Sequence, residues 1–406
     1  MPTLSYKYRI EPNKAQGSAL SEMLRDFCAL YNAGLEERIN AFRPVTNARC
    51  ELVWGTFTDR NGKQCEGYIR QHLARVTANE TRSINYKTQA NYLPRLRLSC
   101  PNLDRWSYSA EQQVLRRLQK TFKAFFERGK GFPRFRAASR YHAAEFRVGD
   151  GLTMKKTGHL CFVGVAGKIK VRWHRQLPGK PASAILTRQN GKWYVVFHLE
   201  AKVADRAGPD SVGIDFGLTS LIALSNGETE LRPNWTKQAA KGLRRRQRAV
   251  ARCKRRSKIR ARRVAALARY HARVANRRRD HLQRISRHLV DRFGRIGIED
   301  LNIKGLAAGM LAKHINDASW AQLTAMLEYK AESAGVELVK VDPRGTSQEC
   351  PGCGLLEAKT LAEREHRCEC GLVLDRDVAA AMVVHFRAFG SWPGAGLGSL
   401  SERDAA

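Results

Sequence analysis

Val212-Gly-Ile-Asp215-Phe-Gly217, then Ser220-Leu-Ile-Ala-Leu224, then Asn226-Gly227 leading into Glu228-Thr-Glu-Leu231: this stretch decides the reading of the fold. Two short apolar runs and a third extended segment, the last pair joined by an Asn-Gly hairpin turn, predict three consecutive strands with antiparallel neighbours. Downstream lie long basic helices, a strand at Arg295–Glu299 and a helix at about Ala318–Ala334 stopped by Gly335. A strand at Val336–Val341 follows, and a last helix starts near Asp375 and carries Val378, Met382 and Phe386.

Three antiparallel strands followed by alternating helix and strand is the element order of an RNase H-like α/β fold. In that order Asp215 closes the first strand and Glu299 the fourth, and these strands are neighbours, so the two carboxylates could meet across one strand spacing of about 4.8 Å. Asp377 enters from the last helix. An unpaired carboxylate at the end of a buried strand is costly and therefore usually holds a metal or a partner. Each one alone could be a turn or cap residue, but three in this order weigh against that. Within Asp375-Arg376-Asp377 either aspartate could cap the helix while the other faces a metal, and Asp300 is the weaker neighbour of Glu299. Clustered carboxylates of this kind hold two divalent cations roughly 4 Å apart in nuclease cores, which points to Mg2+.

The charge agrees with a polyanionic partner. Against 38 Asp and Glu stand 72 Lys and Arg, a net charge of +34 that repels itself unless nucleic acid neutralises it. A hydrophobic content of 43% is ordinary for a globular chain with real cores, so 406 residues predict two or three domains. No run of about 18 apolar residues or signal-peptide pattern is present, which favours a soluble cytoplasmic protein over a membrane-bound one. From Lys241 to Arg287 there are 20 Lys or Arg among 47 residues, with Val264, Leu267, Val274, Leu282 and Ile285 at helical spacing. Asp280 is the one acid in that run, so a phosphate-binding helical pair is favoured over a merely solvated face.

Six of the 10 cysteines are scattered, whereas Cys350-Pro-Gly-Cys353 and Cys368-Glu-Cys370 bracket a short loop near the C-terminus. That spacing suits a zinc ribbon in a reducing compartment, with one Zn2+ held by Cys350, Cys353, Cys368 and Cys370. The second pair is Cys-x-Cys, whose side chains share a side when extended, and His366 could replace one cysteine.

In the N-terminal half, the alternation Leu4-Ser-Tyr-Lys-Tyr-Arg-Ile10 predicts a strand, and Leu20, Leu24, Phe27, Tyr31 and Leu35 an amphipathic helix. From Pro44 to about Leu103 periodicity is weaker, with a turn signal at Asn61-Gly62, and the stretch reads as an irregular, mostly helical insertion. Val114, Leu118, Phe122 and Phe125 mark another helix, ended by Gly131-Phe-Pro133. Short strands at 146–148, 159–163, 169–173, 184–187 and 193–199, the last two joined at Asn190-Gly191, predict a small barrel that the strand at 4–10 could complete. Arg134-Phe135-Arg136, Arg140-Tyr141-His142 and Arg172-Trp173-His174-Arg175 could stack on bases, although Trp173 and Trp193 equally suit a barrel core.

The opening Tyr8-Arg-Ile-Glu-Pro-Asn13, Gly131-Phe-Pro-Arg-Phe-Arg136, Gly213-Ile-Asp-Phe-Gly217, Ile298-Glu-Asp-Leu301, Thr346-Ser-Gln-Glu-Cys-Pro-Gly-Cys353 and Asp375-Arg-Asp377 resemble the TnpB proteins of insertion sequences, in the family's order, from about residue 4 to 387. The compact type V CRISPR effectors share this plan. The resemblance implies an RNA-guided DNA endonuclease with a wedge β-barrel at 1–12 and 128–205, a helical recognition domain at 13–127 and a RuvC-like nuclease domain at 206–345 and 372–388. It implies also a zinc ribbon insert at 346–371 and a flexible tail at 389–406. Asp215, Glu299 and Asp377 would be its catalytic Mg2+ ligands, while Ala379 stands where the family often has asparagine. The implied partners are a guide RNA, double-stranded target DNA with a short adjacent motif, and the displaced single strand. A guided repressor that does not cut, and an unguided nuclease, are the competing expectations.

Overall fold

The computed structural model describes residues 3–42, 50–58, 64–72, 84–200, 210–309, 312–359 and 363–392. Two compact units divide the chain, one spanning Thr3–Glu200 and the other beginning after it.

In the first unit, strand β1 (Thr3–Glu11) leads into the long helix α1 (Lys14–Phe42). An antiparallel ribbon of β2 (Cys50–Thr58) and β3 (Gln64–His72) follows, then helices α2 (Tyr86–Ser99), α3 (Pro101–Asp104) and α4 (Tyr108–Arg128). The ribbon corrects the expectation of a mostly helical insertion. Its first strand, Leu52-Val-Trp-Gly-Thr-Phe57, is rich in β-branched and aromatic residues, whose preference for extended backbone outweighs the weak periodicity. The Asn61-Gly62 turn signal lies outside the described residues. Helix α4 ends earlier than its proline suggests, because Gly129 takes a left-handed conformation (φ 59°) and caps it by donating to Ala124 O.

Strands β4 (Ala143–Val148), β5 (Gly151–Met154), β6 (Leu160–Phe162), β7 (Lys170–Arg172), β8 (Ser183–Gln189) and β9 (Lys192–Glu200) join β1 in a seven-stranded sheet ordered β6-β5-β4-β8-β9-β1-β7. Its two edges are linked where Leu160 and Ile169 exchange backbone hydrogen bonds of 2.9 and 2.7 Å, so the sheet partly closes on itself. One hydrophobic core runs from the helices into this sheet, through Leu20, Phe27, Tyr31, Leu118, Phe146 and Phe197. Trp193 belongs to it, whereas Trp173 is 37% exposed and donates from Nε1 to Gly158 O at 2.8 Å.

The second unit is built on a five-stranded sheet. Strands β10 (Ser211–Asp215), β11 (Ser220–Leu224) and β12 (Thr229–Leu231) pair antiparallel in sequence order. Helices α5 (Trp235–Ala251) and α6 (Lys258–Arg292) carry the basic run. Strand β13 (Arg295–Glu299) lies parallel to β10, and after the short helices α7 (Ile303–Leu306) and α8 (Ala312–Ala318), α9 (Trp320–Ala334) leads into β14 (Glu337–Val341), parallel to β13. The strand order is β12-β11-β10-β13-β14. A two-stranded hairpin, β15 (Glu365–Arg367) and β16 (Val373–Asp375), precedes the last helix, α10 (Arg376–Phe389). Residues 393–406, most of the expected tail, lie outside the described residues.

Strand alternation sorts the two faces of this sheet. Val212, Ile214, Ile296 and Ile298 join Leu289 and Leu327 in the core beneath α6 and α9. The intervening Gly213 and Gly297 are paired in register and lie under α10. At the far end of α10, His385 Nδ1 donates to Ser391 O at 2.8 Å, which leaves Nε2 to accept from Ser211 Oγ at 2.7 Å, a tautomer assigned from its partners. Among the described residues no helix is long and apolar enough to cross a membrane.

Candidate carboxylate and cysteine centres

Alternation that turns Gly213 and Gly297 toward α10 turns the residues two positions on, Asp215 and Glu299, to the same face at the carboxyl ends of adjacent strands. Helix α10 supplies the third carboxylate. Asp375 is its cap, accepting from the backbone N–H groups of Asp377 at 2.9 Å and Val378 at 3.1 Å. Asp377 is thereby free of capping, and its Oδ2 lies against the turn at Gly217, where an added Cβ would sit 3.2 Å away. Asp300 is exposed.

The three carboxyls influence one another electrostatically. Burial raises the Asp215 carboxyl well above the usual carboxylate range, the neighbouring carboxylates of Glu299 and Asp377 push it the same way, and Arg376 offsets this only in part. Glu299 is 7% exposed, and burial raises its pKa too. Two donors pull it back: the hydroxyl of buried Thr346, 2.6 Å from Oε1, and the Asp215 carboxyl. Asp377 is also raised, by burial and then by Asp375. The arrangement is therefore an acidic site in which burial pushes all three carboxyls toward their protonated forms. An all-oxygen, anionic donor set of this kind fits hard divalent cations, whose charge would remove the mutual repulsion.

Sequence reasoning missed two residues here. Thr346 follows Gly345, which sits at φ 74° and turns the chain after β14 back toward Glu299. Arg387, near the end of α10, donates to Asp342 O at 3.0 Å and Arg344 O at 2.7 Å, and pairs with Glu349 at 2.5 Å. Its charge also favours the ionised form of Glu299. The Thr346-Ser-Gln-Glu-Cys motif was a signal that could have drawn attention to the first.

The four cysteines form a tighter group. Sγ atoms of Cys350 and Cys370 are 3.7 Å apart, those of Cys353 and Cys368 3.4 Å, and all four lie within 4.8 Å of one another. Tetrahedral zinc at about 2.3 Å from each sulfur requires separations near 3.8 Å, so the thiol set fits that ion. Among the described residues this is the one cluster of His, Cys, Asp or Glu ligand atoms gathered so closely, and the three carboxylates are more widely spread. His366 takes no part: it is buried beside Lys359, which corrects its candidacy as a replacement ligand. The Gly352 N–H donates to Cys350 Sγ at 3.3 Å, and a backbone N–H from Cys370 lowers the Cys368 thiol to about 7.

A protein from Streptomyces pristinaespiralis described as "Putative RNA-guided DNA endonuclease" is 31% identical over 385 residues, covering 93% of this chain and 87% of that protein. The chain belongs to the TnpB family. A family profile described as "Probable transposase" matches residues 195–309, and one described as "Cas12f1-like, TNB domain" matches residues 320–384, which contain the cysteine centre and most of α10. A "Helix-turn-helix domain" profile matches residues 1–43, where this TnpB-family chain has a strand and one continuous helix. "Putative RNA-guided DNA endonuclease InsQ" of Escherichia coli (strain K12) is 27% identical, covering 82% of this chain and 88% of its own. The CRISPR-associated endodeoxyribonuclease Cas12f1 of Sulfoacidibacillus thermotolerans is 30% identical over 130 residues, 30% of each chain. A Cas12f1–sgRNA–target DNA complex overlays 95% of this chain at 16% identity with a TM-score of 0.34, too loose to bear on the TnpB-family site.

Proposed function

We propose that this TnpB-family chain is an RNA-guided DNA endonuclease whose cutting centre is Asp215, Glu299 and Asp377. The observation that carries the reading is that Asp215 and Glu299 end adjacent parallel strands on the face covered by α10, whose first turn carries Asp377 with its Oδ2 against the turn at Gly217. Strand order, with two parallel strands added beside an antiparallel trio, supports an RNase H-like, RuvC-type nuclease domain built from residues 206–345 and 372–388. The partly closed sheet would serve as the wedge barrel and α1–α4 with the β2–β3 ribbon as the recognition domain, holding guide RNA and target DNA.

Two Mg2+ ions bound by these carboxylates would supply an activated water and charge stabilisation at the leaving oxygen. The residues themselves set the conditions. Burial and the neighbouring carboxylates favour the protonated form of Asp215 in the metal-free site, and bound cations would favour its ionised form. Thr346 orients Glu299 through its 2.6 Å hydrogen bond, and the Asp375 cap fixes the first turn from which Asp377 projects. Cys350, Cys353, Cys368 and Cys370 would hold one structural Zn2+ in the ribbon insert of residues 346–371.

Asp215→Ala tests the reading. With the native RNA and Mg2+, the variant should lose cutting of matched DNA while keeping RNA and DNA binding. Cutting at the wild-type rate would overturn the assignment; wild-type cutting without added or co-purified RNA would make the chain an unguided nuclease.

A further inference from the structure

At the end of α4 a group of phenylalanines breaks the surface. Phe125, Phe126 and Phe132 interlock edge to face, with ring centroids 5.0 Å apart for the first pair and 5.3 Å for Phe125 and Phe132. Buried Phe122 anchors them, 5.8 Å from Phe132 and beneath the Arg38 guanidinium at 5.1 Å. Despite that packing, Phe126 is 66% exposed, Phe132 44% and Phe135 56%. Gly129 and the buried Pro133 set the backbone path between the rings, so the step is held rather than loosely displayed.

Rings so exposed need an occupant, and the surrounding charge selects its chemistry. From Lys120 to Arg140 there are seven Lys and Arg against one acid, Glu127, which Lys123 already engages at 3.8 Å. A second copy of a chain carrying +34 would be repelled by such a patch. Phosphates beside aromatic faces are what unpaired nucleotides present. Duplex DNA offers no free bases until it is opened, whereas structured RNA carries loops and ends whose unstacked bases can rest on aromatic rings. We propose that Phe126 and Phe132 form a stacking step for unpaired bases of the bound RNA. This rests on the RNA-guided reading above and adds a base-binding site to it.

The test uses the full chain purified with its RNA. Irradiation at short wavelength followed by mass spectrometry should find nucleotide attached to the peptide that contains Phe126 or Phe132. Phe126→Ala with Phe132→Ala should abolish that adduct and weaken a 15-nucleotide unstructured RNA by roughly tenfold per ring in high salt, leaving duplex RNA unaffected. Phe126→Trp should retain the adduct, and an unchanged melting temperature checks that the exposed substitutions leave the fold intact. Adducts elsewhere but none on this peptide would overturn the step alone, as would equal losses for duplex RNA. Preferential binding of single-stranded DNA of the same sequence, or a dimer lost on substitution, would overturn it by naming another occupant. No RNA in the purified protein and no adduct on any peptide would instead overturn the guided reading.

Discussion

Gly213 and Gly297 face each other in register across two parallel strands, and both lie directly beneath the last helix. A Cβ on Gly213 would come within 2.2 Å of Ala381 O and 2.5 Å of His385 N, both backbone atoms that cannot swing aside. On Gly297 it would meet Ala388 Cβ at 2.8 Å. The pair lets α10 lie against the sheet, and that close approach brings Asp377 to Asp215. Gly213→Ala should therefore cost about 3 kcal/mol or more and Gly297→Ala roughly 1–3 kcal/mol, each with lost cutting. Thermal denaturation read on the second unit checks the order; a Gly213→Ala protein as stable as wild type would refute the close-approach account.

Thr346 is the hydroxyl that holds Glu299. Thr346→Val keeps the shape and removes the donor, so cutting at limiting Mg2+ should fall by roughly 10–100-fold, with partial recovery at high Mg2+. Thr346→Ser should restore most of the loss. Equal activity of the Val and Ser variants across a Mg2+ titration would show that the bond does not matter.

The four thiols predict one zinc per chain by elemental analysis of the purified protein. Cys368→Ser, or treatment with a strong chelator, should remove it and lower the melting temperature, and readdition of Zn2+ should restore the chelated wild type but not the variant. A metal-free preparation with full stability and cutting would count against a structural ion.

Lys330, on α9, is 6% exposed and donates to Gln283 O at 2.7 Å and Ser286 Oγ at 2.8 Å on α6. Burial lowers its pKa to about 8, and Arg287 pushes the same way. The unfolded chain keeps this proton up to the ordinary lysine value of 10.5, so between about 8 and 10.5 it binds more protons than the folded one. Stability from this group therefore rises with pH across that window, by about 1–3 kcal/mol in all. Melting temperatures of wild type and Lys330→Met, compared at pH 7.5 and 9.5, should show a rise present in the first and reduced in the second. Parallel pH profiles would sink the argument.

Much of the second unit is legible in the sequence because its signals are local. Asn226-Gly227 makes the hairpin, Gly335 stops α9, and both parallel strands that end in a carboxylate read Gly-Ile-acid, at Gly213-Ile-Asp215 and Gly297-Ile-Glu299. That repeat also marks where the helix crosses, a meaning visible only once Gly213 and Gly297 are seen in register. The choice between Asp375 and Asp377 is not local, since it depends on which carboxylate meets the N–H groups of residues 377 and 378. Thr346 stands in a recognisable motif, but its role is not legible there, because it comes only from the carboxylate folded onto its hydroxyl. In the first unit, apolar residues of Leu52-Val-Trp-Gly-Thr-Phe57 fall at both alternating positions, so periodicity alone does not mark the strand.

The cysteine centre occupies the only covalent route between Val341, where β14 ends beside Glu299, and Arg376, where α10 begins. Left open, that excursion is a long tether, and returning Asp377 to its partners carries the entropy of closing the whole loop. Four thiols fastened at one point would divide the tether into short spans, with Arg387 and Glu349 cinching it on the near side. Cys353 and Cys370 are exposed, so oxidants and competing metals reach the fastening from solvent. With an ion in place, the freedom of a carboxylate inside the second unit would be governed from its surface.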